Sequence, residues 1–426
     1  MIGYLLCIFA ILVIAATLLK AVNENSIGYW LGILVGFMYF IGFPLVQLLI
    51  FGEIDNKDIS GASLHISEDY NVLYVLLGTA ISFFIFNLFV VGGDASEVKG
   101  RHEVVMNTYL VGTYFVLAVS VFVMSGKASG GHWIENYDTL YSGSVFAVII
   151  GNFNNVLRVM FPGLLINLYR LKFFNYKQSI YLMLFFAIFE LIVSSNRIIM
   201  LFSIMALFII AYEEGKIQKF IFYMILVAPL LMQFNLAFPI IRGLLWSNGA
   251  EIGSAVSSVD VAYSTRKSDG SSMQDSITSL FESENLGMIK VIINEIEPAN
   301  LLYFGETVYV KSLATFIPRV WWEHKPDSLS LRMAEYIFGP GILSLNSTLV
   351  GEAYANFGLA AIILLPINLY FMGRILMRVS PRYLHATLFY VAMAAWRFDF
   401  SFLVTAFIFL TIVSVVDLIV KQRKEV

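Results

Sequence analysis

The chain has 426 residues, of which 59% are hydrophobic and only 13% are charged, and its net charge is −3. Soluble domains carry about 25% charged residues, and the apolar runs here are long enough to cross about 30 Å of hydrocarbon. This composition excludes an ordinary soluble domain and predicts an all-α polytopic integral membrane protein. It offers no basic domain that would favour nucleic acid. The single cysteine, Cys7, excludes an intrachain disulfide and a cysteine-based metal site.

About eleven apolar runs have the length of a transmembrane helix. They fall near residues 2–19, 28–51, 71–91, 105–124, 144–169, 179–195, 198–212, 219–241, 350–372, 383–396 and 400–420. The first run has no positively charged start and no small-residue cleavage site, so it is predicted to stay as a helix rather than be removed as a signal peptide. The predicted organisation is helices 1–8 in 1–241, a polar connection in 242–349, and helices 9–11 in 350–426. Connections this long tend to be functional.

The distribution of lysine and arginine predicts the orientation, because short cytoplasmic loops carry an excess of both. With the N-terminus outside, most of the cations in short loops lie inside. Four remain in short outer connections: Lys57, Lys127, Arg197 and Arg397. This orientation puts the long connection outside the membrane and the C-terminus in the cytoplasm.

Two helices are predicted within the long connection. The first has four isoleucines at the spacing of one helix face: Ile289, Ile292, Ile293 and Ile296. Such an amphipathic segment is typical of a helix that lies along the membrane surface. The second is LRMAEYIF, for which Ser330 is the predicted N-cap.

Four arginines make a multiply charged anion the expected ligand. Arg197 and Arg397 lie at outer helix ends, Arg319 lies in the long connection, and Arg158 lies inside the fifth span on the face of Asn154. Guanidinium groups match phosphate oxygens in bidentate fashion and stay charged at any relevant pH. The alternative is that an arginine at a helix end only snorkels to the interface. An ionisable residue inside a span, such as Arg158, usually faces a cavity.

Other polar residues on the same predicted side are candidates for proton transfer and sugar binding. The candidates to accept a proton from a hydroxyl nucleophile are Glu352, His324 and Asp399, because nearby cations would keep a carboxylate ionised. The candidates to bind sugar are Trp321, Trp322, Lys325 and Arg332. The two tryptophans could equally belong to an interfacial aromatic belt.

Two weaker patterns lie near the N-terminus. Gly28, Gly32 and Gly36 form a GxxxGxxxG stripe, which indicates close helix packing. Glu53 and Asp55 form a carboxylate-x-carboxylate pair, as in the metal sites of some lipid-linked glycosyltransferases. Two acids in an acidic loop are weak grounds for a metal site, and none is predicted.

Four segments resemble the recurring segments of Wzy-type oligosaccharide repeat-unit polymerases. They are SSNRIIMLFSIMALFII, FIPRVWWEHKP, STLVGEAYANFGLAA and WRFDFSFLVTAFIFLTI. That family shows, in this order, an outer arginine after small residues, a PR…W…KP stretch, a GE.Y.NFG segment and an Arg-x-Asp/Glu near the last span. The resemblance covers roughly residues 190–420, and the first 190 residues match in hydropathy only.

The resemblance implies a GT-C-like membrane fold and a reaction at the outer face of the bacterial cytoplasmic membrane. A growing glycan on undecaprenyl diphosphate would be the donor, and one lipid-linked repeat unit would be the acceptor. The reaction would be inverting and would need no nucleotide sugar, ATP, metal or other cofactor. The implied partners are the lipid-linked glycan and the bilayer, with a polysaccharide chain-length regulator as an open alternative.

The resemblance also suggests roles for the candidates. Arg197, Arg319 and Arg397 match family positions and would bind the diphosphate, whose charge grows as the bond breaks. Glu352 is the first choice as general base. His324 is the second, because the related O-antigen ligases are thought to use a loop histidine. Arg158 lies outside the matched region and is added from the residue pattern alone.

Two other functions remain open at this point. An O-antigen ligase would use the same donor and pass the glycan to lipid A. A lipid or polysaccharide transporter would usually show internal repeats, and none is visible in this sequence.

Overall fold

A computed structural model describes residues 1–23, 28–55, 59, 61–89, 101–124, 145–193, 198–229, 282–296, 303–317, 321–338 and 345–425. Nearly all of these residues are helical. The one β ladder among them pairs β1 (Glu53–Ile54) with β2 (Leu64–His65) in antiparallel fashion. The predicted helical fold class is therefore confirmed for the described residues.

The helices before the long connection are α1 (Ile2–Asn23), α2 (Tyr29–Phe51, with a π-helical turn at Met38–Gly42), α3 (Tyr70–Phe89), α4 (Arg101–Met124), α5 (Val145–Arg170), α6 (Tyr176–Val193), α7 (Ile198–Glu213) and α8 (Ile217–Pro229). Within the connection lie α9 (Glu284–Ile296), an irregular helical run of three turns (Glu306–Val310, Lys311–Leu313 and Ala314–Phe316), and α10 (Leu329–Phe338). After it come α11 (Thr348–Phe357), α12 (Ala361–Val379), α13 (His385–Phe398) and α14 (Phe400–Glu425), with short 3-10 turns at Gly358–Ala360 and Arg382–Leu384.

By length and composition, seven helical stretches of the described chain could cross a membrane. They are Ile2–Val22, Tyr29–Phe51, Tyr70–Phe89, His102–Met124, Val145–Arg170, Thr348–Val379 and Phe400–Gln422. The protein is therefore a helical membrane protein. The predicted spans at 198–212 and 383–396, and the described parts of those at 179–195 and 219–241, also fall on helices, but those helices are not among the seven. Residues 194–195 and 230–241 lie outside the described residues.

Two contacts join helix ends that the predicted orientation puts on the inner side. Lys20, at the end of α1, donates to the carbonyl of Asn87 near the end of α3, at 2.8 Å. Arg170, at the end of α5, pairs with Glu213 at the end of α7. In each of these two contacts, both partners come from helix ends that the sequence predicts to lie on the same side.

The glycine stripe of α2 packs closely against α13. A Cβ on Gly32 would lie 2.1 Å from the carbonyl oxygen of Phe389, and one on Gly36 would lie 2.2 Å from Cδ1 of Trp396. The predicted packing role is confirmed for these two glycines, whereas Gly28 faces open space. Because glycine has no Cβ, α2 and α13 can approach closely at these two positions. This packing helps to hold α13 in place, and with it the turn that follows α13.

The two predicted helices of the long connection exist, with two differences. The apolar face of α9 packs within the protein rather than against a membrane surface. Ile289, Ile292 and Ile293 are buried, and the helix packs against α11. Lys290 joins this helix to the end of the β ladder by donating to the carbonyl of Ser63 at 2.6 Å. In α10 the capping hydroxyl is that of Ser328, which accepts from the N–H of Leu331.

Candidate functional site

The carboxylate of Glu352 lies at the N-terminus of α14. Glu352 is on α11 and is only 2% exposed, and its Oε2 accepts a hydrogen bond from the main-chain N–H of Phe400 at 2.8 Å. The first N–H groups of a helix have no acceptor within the helix and carry partial positive charge, which stabilises an anion placed beside them. The start of α14 therefore gives this buried carboxylate both a donor and a favourable field.

The other oxygen of Glu352 has no hydrogen-bond partner among the described residues. Glu352 also lines a small cleft. The other lining residues are Val308, Leu349, Ala353, Phe357, Leu365, Asn368 and Phe400. Apart from Glu352 and Asn368 this lining is apolar, so Glu352 is the acidic group among the residues that form the cleft.

Asp399 lies next to this site, but both of its carboxylate oxygens are already engaged. Oδ2 forms an ion pair with Lys311, and Oδ1 accepts from the hydroxyl of Ser401 and from the N–H of Phe402. Accepting from an N–H in the first helical turn is the usual work of an N-cap aspartate. Asp399 therefore caps α14 and balances a lysine, and it has no oxygen left for a substrate.

Asn356 positions the segment that carries Lys311. Its Oδ1 accepts from the N–H of Thr307 at 3.2 Å, and its Nδ2 donates to the Thr307 hydroxyl at 2.6 Å and to the carbonyl of Glu352 at 2.7 Å. The amide thus ties the irregular helical run of the long connection to α11. This contact brings Lys311, one helical turn further on, to Asp399.

Arg397, at the end of α13, lies on the same turn as Asp399. Its guanidinium forms an ion pair with Glu282, just before α9, at 3.5 Å, and its side chain is 31% exposed. This pair joins the α13–α14 turn to a second part of the long connection. A carboxylate already interacts with this guanidinium, so an anionic ligand would have to share or replace that contact.

Arg158 belongs to a separate buried cluster. Its Nε lies 2.9 Å from Oε2 of Glu190 on α6, and Tyr114 on α4 donates to the other oxygen of Glu190. Asn154, one turn away on α5, is buried with no hydrogen-bond partner for its amide among the described residues. The pairing with Glu190 balances the charge of Arg158 among the helices. Arg158 therefore has a structural partner and needs no ligand to balance its charge.

The candidates in the PR…W…KP stretch lie apart from Glu352. Trp321 and His324 are exposed, and Trp322 is half-buried. Lys325 donates to the carbonyls of Thr315 and Ile317, which folds the stretch back onto the irregular helical run. These contacts do not bring His324 to the buried carboxylate.

Arg332, on α10, binds within the long connection itself. Its guanidinium makes two hydrogen bonds to the carboxylate of Glu306 and lies over the ring of Tyr303, 4.6 Å from the centroid. Burial lowers the pKa of Arg332, but the hydrogen bonds and charge of Glu306 outweigh that effect and raise the pKa above its ordinary value. Arg332 therefore stays charged and holds α10 to the start of the irregular run.

Two of the predicted phosphate-binding arginines, Arg197 and Arg319, lie outside the described residues. The carboxylates of the first loop have local partners: Glu53 lies 3.3 Å from His65, and Asp55 accepts from the hydroxyl of Ser63. Within the described ranges, no group of three or more His, Cys, Asp or Glu side chains is arranged to hold a metal ion.

Sequence reasoning missed Lys311, Asn356 and Glu190. Asn356 could have been found from its spacing, because it follows Glu352 by four residues and shares its helix face. Glu190 is an acid inside a predicted span, which makes it the natural partner for an arginine in another span. No sequence pattern around Lys311 pointed to its role, because only the packing of the helices brings it to Asp399.

Comparison with family models, with curated proteins and with solved structures finds no match to this chain. The functional argument therefore depends on the residues and contacts described above.

Proposed function

We propose that this protein is an inverting glycosyltransferase that polymerises oligosaccharide repeat units carried on undecaprenyl diphosphate. One observation carries the proposal. Two of the segments that resemble Wzy-type polymerases, GEAYANFG and WRFDFS, are far apart in the sequence but meet at the carboxylate of Glu352. That carboxylate is buried, accepts a hydrogen bond from a helix N-terminus, has one oxygen without a hydrogen-bond partner among the described residues, and helps to line a small cleft.

The chemistry needs a base of this kind. A hydroxyl of the acceptor sugar attacks the anomeric carbon of the donor, forming a new C–O bond while the bond from that carbon to the diphosphate oxygen breaks. The bonding electrons leave with undecaprenyl diphosphate, and the hydroxyl proton passes to Oε1 of Glu352. A positioned base typically contributes about 10²- to 10⁴-fold to such a step.

Glu352 fits the role of base better than the other two candidates. Asp399 uses both oxygens in contacts with Lys311, Ser401 and Phe402. His324 is exposed on the long connection, and no hydrogen bond or ion pair of the described residues joins it to Glu352. A base must come within hydrogen-bond reach of the proton that it removes, and Oε1 of Glu352 has no partner among the described residues that a hydroxyl would have to displace.

Negative charge develops on the departing diphosphate as the bond breaks, and positively charged side chains beside it would stabilise that charge. In this proposal Arg397, two residues before Asp399, supplies part of that charge, together with Arg197 and Arg319. Trp321, Trp322, Lys325 and Arg332 lie on the same connection and would contact the glycan. The orientation that the lysines and arginines favour puts this end of the protein outside the cytoplasmic membrane, where lipid-linked repeat units are polymerised.

The test uses the purified protein in lipid nanodiscs with one defined substrate, a lipid-linked repeat unit isolated from a strain that lacks this gene. We expect products that carry two or more repeat units on one lipid, with release of undecaprenyl diphosphate. Transfer to added lipid A with no longer lipid-linked chains would instead indicate a ligase. Movement of the lipid-linked unit across the bilayer with no new glycosidic bond would indicate a transporter, and either result would reject the proposal.

A further inference from the structure

Lys311 is a partly buried lysine whose contacts all lead to the α13–α14 turn. Among the described residues it forms an ion pair with Asp399 and donates to the hydroxyl of Ser401 at 3.0 Å. The side chains of Lys311 and Asp399 are 14% and 17% exposed. A charge shielded from water to this extent is costly unless it is paired, so the contact constrains both residues strongly.

The main chain of Asp399 has a conformation that needs such support. Its φ is +144° and its ψ is −178°, a region that only glycine adopts readily. Another residue is strained in this conformation, which persists only where surrounding contacts enforce it. Here the enforcing contacts are made by the side chain of Asp399, with Lys311, Ser401 and Phe402.

The conformation of Asp399 directly affects the Glu352 carboxylate. The ψ angle of Asp399 orients the peptide group that follows it, and the N–H of this peptide group belongs to Phe400. That N–H is the donor to Oε2 of Glu352 at 2.8 Å. Rotation of this one peptide would withdraw the donor and turn the buried carboxylate away from its present position.

We propose that Lys311 is a positioning residue, which acts through Asp399 to hold the N-terminus of α14 against Glu352. Among the described residues, Lys311 makes no hydrogen bond to Glu352. It also takes no part in forming the glycosidic bond. Its effect on turnover depends on the proposed function of the site, but its effect on the α14 N-terminus does not.

The experiment compares Lys311→Met and Lys311→Arg with the wild-type protein by two measurements. The first is hydrogen–deuterium exchange of peptides that cover residues 399–405. The second is the kcat and KM of polymer formation from the lipid-linked repeat unit. Lys290→Met is the matched control, because the Lys290–Asp69 pair has side chains that are 16% and 12% exposed, and Lys290 binds Asp69 and the carbonyl of Ser63 rather than the α13–α14 turn.

We expect Lys311→Met to speed exchange at 399–405 and to lower kcat about 100-fold, as a misplaced catalytic group typically does. KM should change by less than about 3-fold, because the residues that bind the substrate are unchanged. Lys311→Arg should recover most of kcat, since arginine restores the ion pair. Lys290→Met should leave both kcat and the exchange at 399–405 at wild-type values.

Two results would overturn the inference: wild-type kcat in Lys311→Met, or a folded Lys311→Arg that is as impaired as Lys311→Met. Asp399→Asn addresses folding defects, because it keeps an acceptor for the N–H of Phe402 but removes the ion pair, and it should therefore speed exchange at 399–405 as Lys311→Met does. If the wild-type protein forms no polymer, the proposed function fails. Unchanged exchange in Lys311→Met would then reject the positioning role separately.

Discussion

The N–H of Phe400 donates to Oε2 of Glu352 at 2.8 Å, although the two residues are 48 positions apart. This contact joins the helix that follows the long connection to the last helix of the chain. It places a buried glutamate beside the N-terminus of a helix, which donates a main-chain N–H to Oε2, and it leaves Oε1 without a partner among the described residues. The predictions below test this site and the contacts that support it.

Glu352→Gln should stop polymer formation while the protein remains folded. Glutamine keeps the shape and can still accept from Phe400, but it cannot take a proton, so kcat should fall by about 10²- to 10⁴-fold. Binding of the lipid-linked donor should be unchanged in an equilibrium binding measurement. The control is Glu335→Gln, which alters an exposed glutamate on α10. Turnover within a few-fold of wild type in Glu352→Gln would remove Glu352 as the base.

Arg397→Ala and Glu282→Gln separate two roles of one ion pair. Both variants break the 3.5 Å contact, but only the first removes the guanidinium. If Arg397 binds the diphosphate, Arg397→Ala should abolish polymer, and Glu282→Gln should retain it and bind free undecaprenyl diphosphate at least as tightly. Equal loss in both variants would show that the pair matters for structure alone. Arg197→Ala and Arg319→Ala should behave like Arg397→Ala.

Arg158 and Glu190 should show strong energetic coupling. Removing one partner of a buried pair leaves an uncompensated charge and typically costs about 3–5 kcal/mol, whereas replacing both by apolar residues is often nearly neutral. We therefore expect Arg158→Met and Glu190→Met to lower the unfolding temperature sharply, and the double variant to recover most of it. A stable double variant that makes no polymer would support the sequence-based role of Arg158 in binding the diphosphate.

Gly32→Ala and Gly36→Ala should weaken the packing of α2 on α13. Overpacking a close contact typically costs about 1–3 kcal/mol. The effect should be larger for Gly32, whose added Cβ meets a main-chain carbonyl that cannot rotate away, than for Gly36, which meets a side chain. Gly112→Ala, where the added Cβ meets nothing within 4 Å, is the control. Thermal unfolding in detergent measures all three variants.

Polymer formation should persist in EDTA. The proposed proton acceptor is a carboxylate held by Phe400, and the two acids of the first loop, Glu53 and Asp55, already have partners in His65 and Ser63. Activity is measured before and after chelation, with added Mg²⁺ as the restoring control. Loss in EDTA that Mg²⁺ reverses would contradict the expected metal-independent reaction.

Local sequence patterns identified part of the candidate site. Glu352, Asp399 and Arg397 were selected because they are charged residues at predicted helix ends, and the structure brings Glu352 next to the turn that holds the other two. The residue pattern alone left Glu352, His324 and Asp399 open, and only the family resemblance put Glu352 first. In the structure, the choice depends on which oxygens are already engaged, and Lys311 reaches Asp399 from 88 positions away.

The sequence by itself determined the membrane character, most of the helices and the packing role of Gly32 and Gly36. These features depend on composition, on the length of apolar runs and on the 3.6-residue period, all of which are local. Tertiary structure alone decided that the isoleucine face of α9 packs on α11, that Arg158 has Glu190 as its partner, and that Lys311 supports the N-terminus of α14. Partners across helices are set by how whole faces pack together, and no short stretch of sequence contains that information.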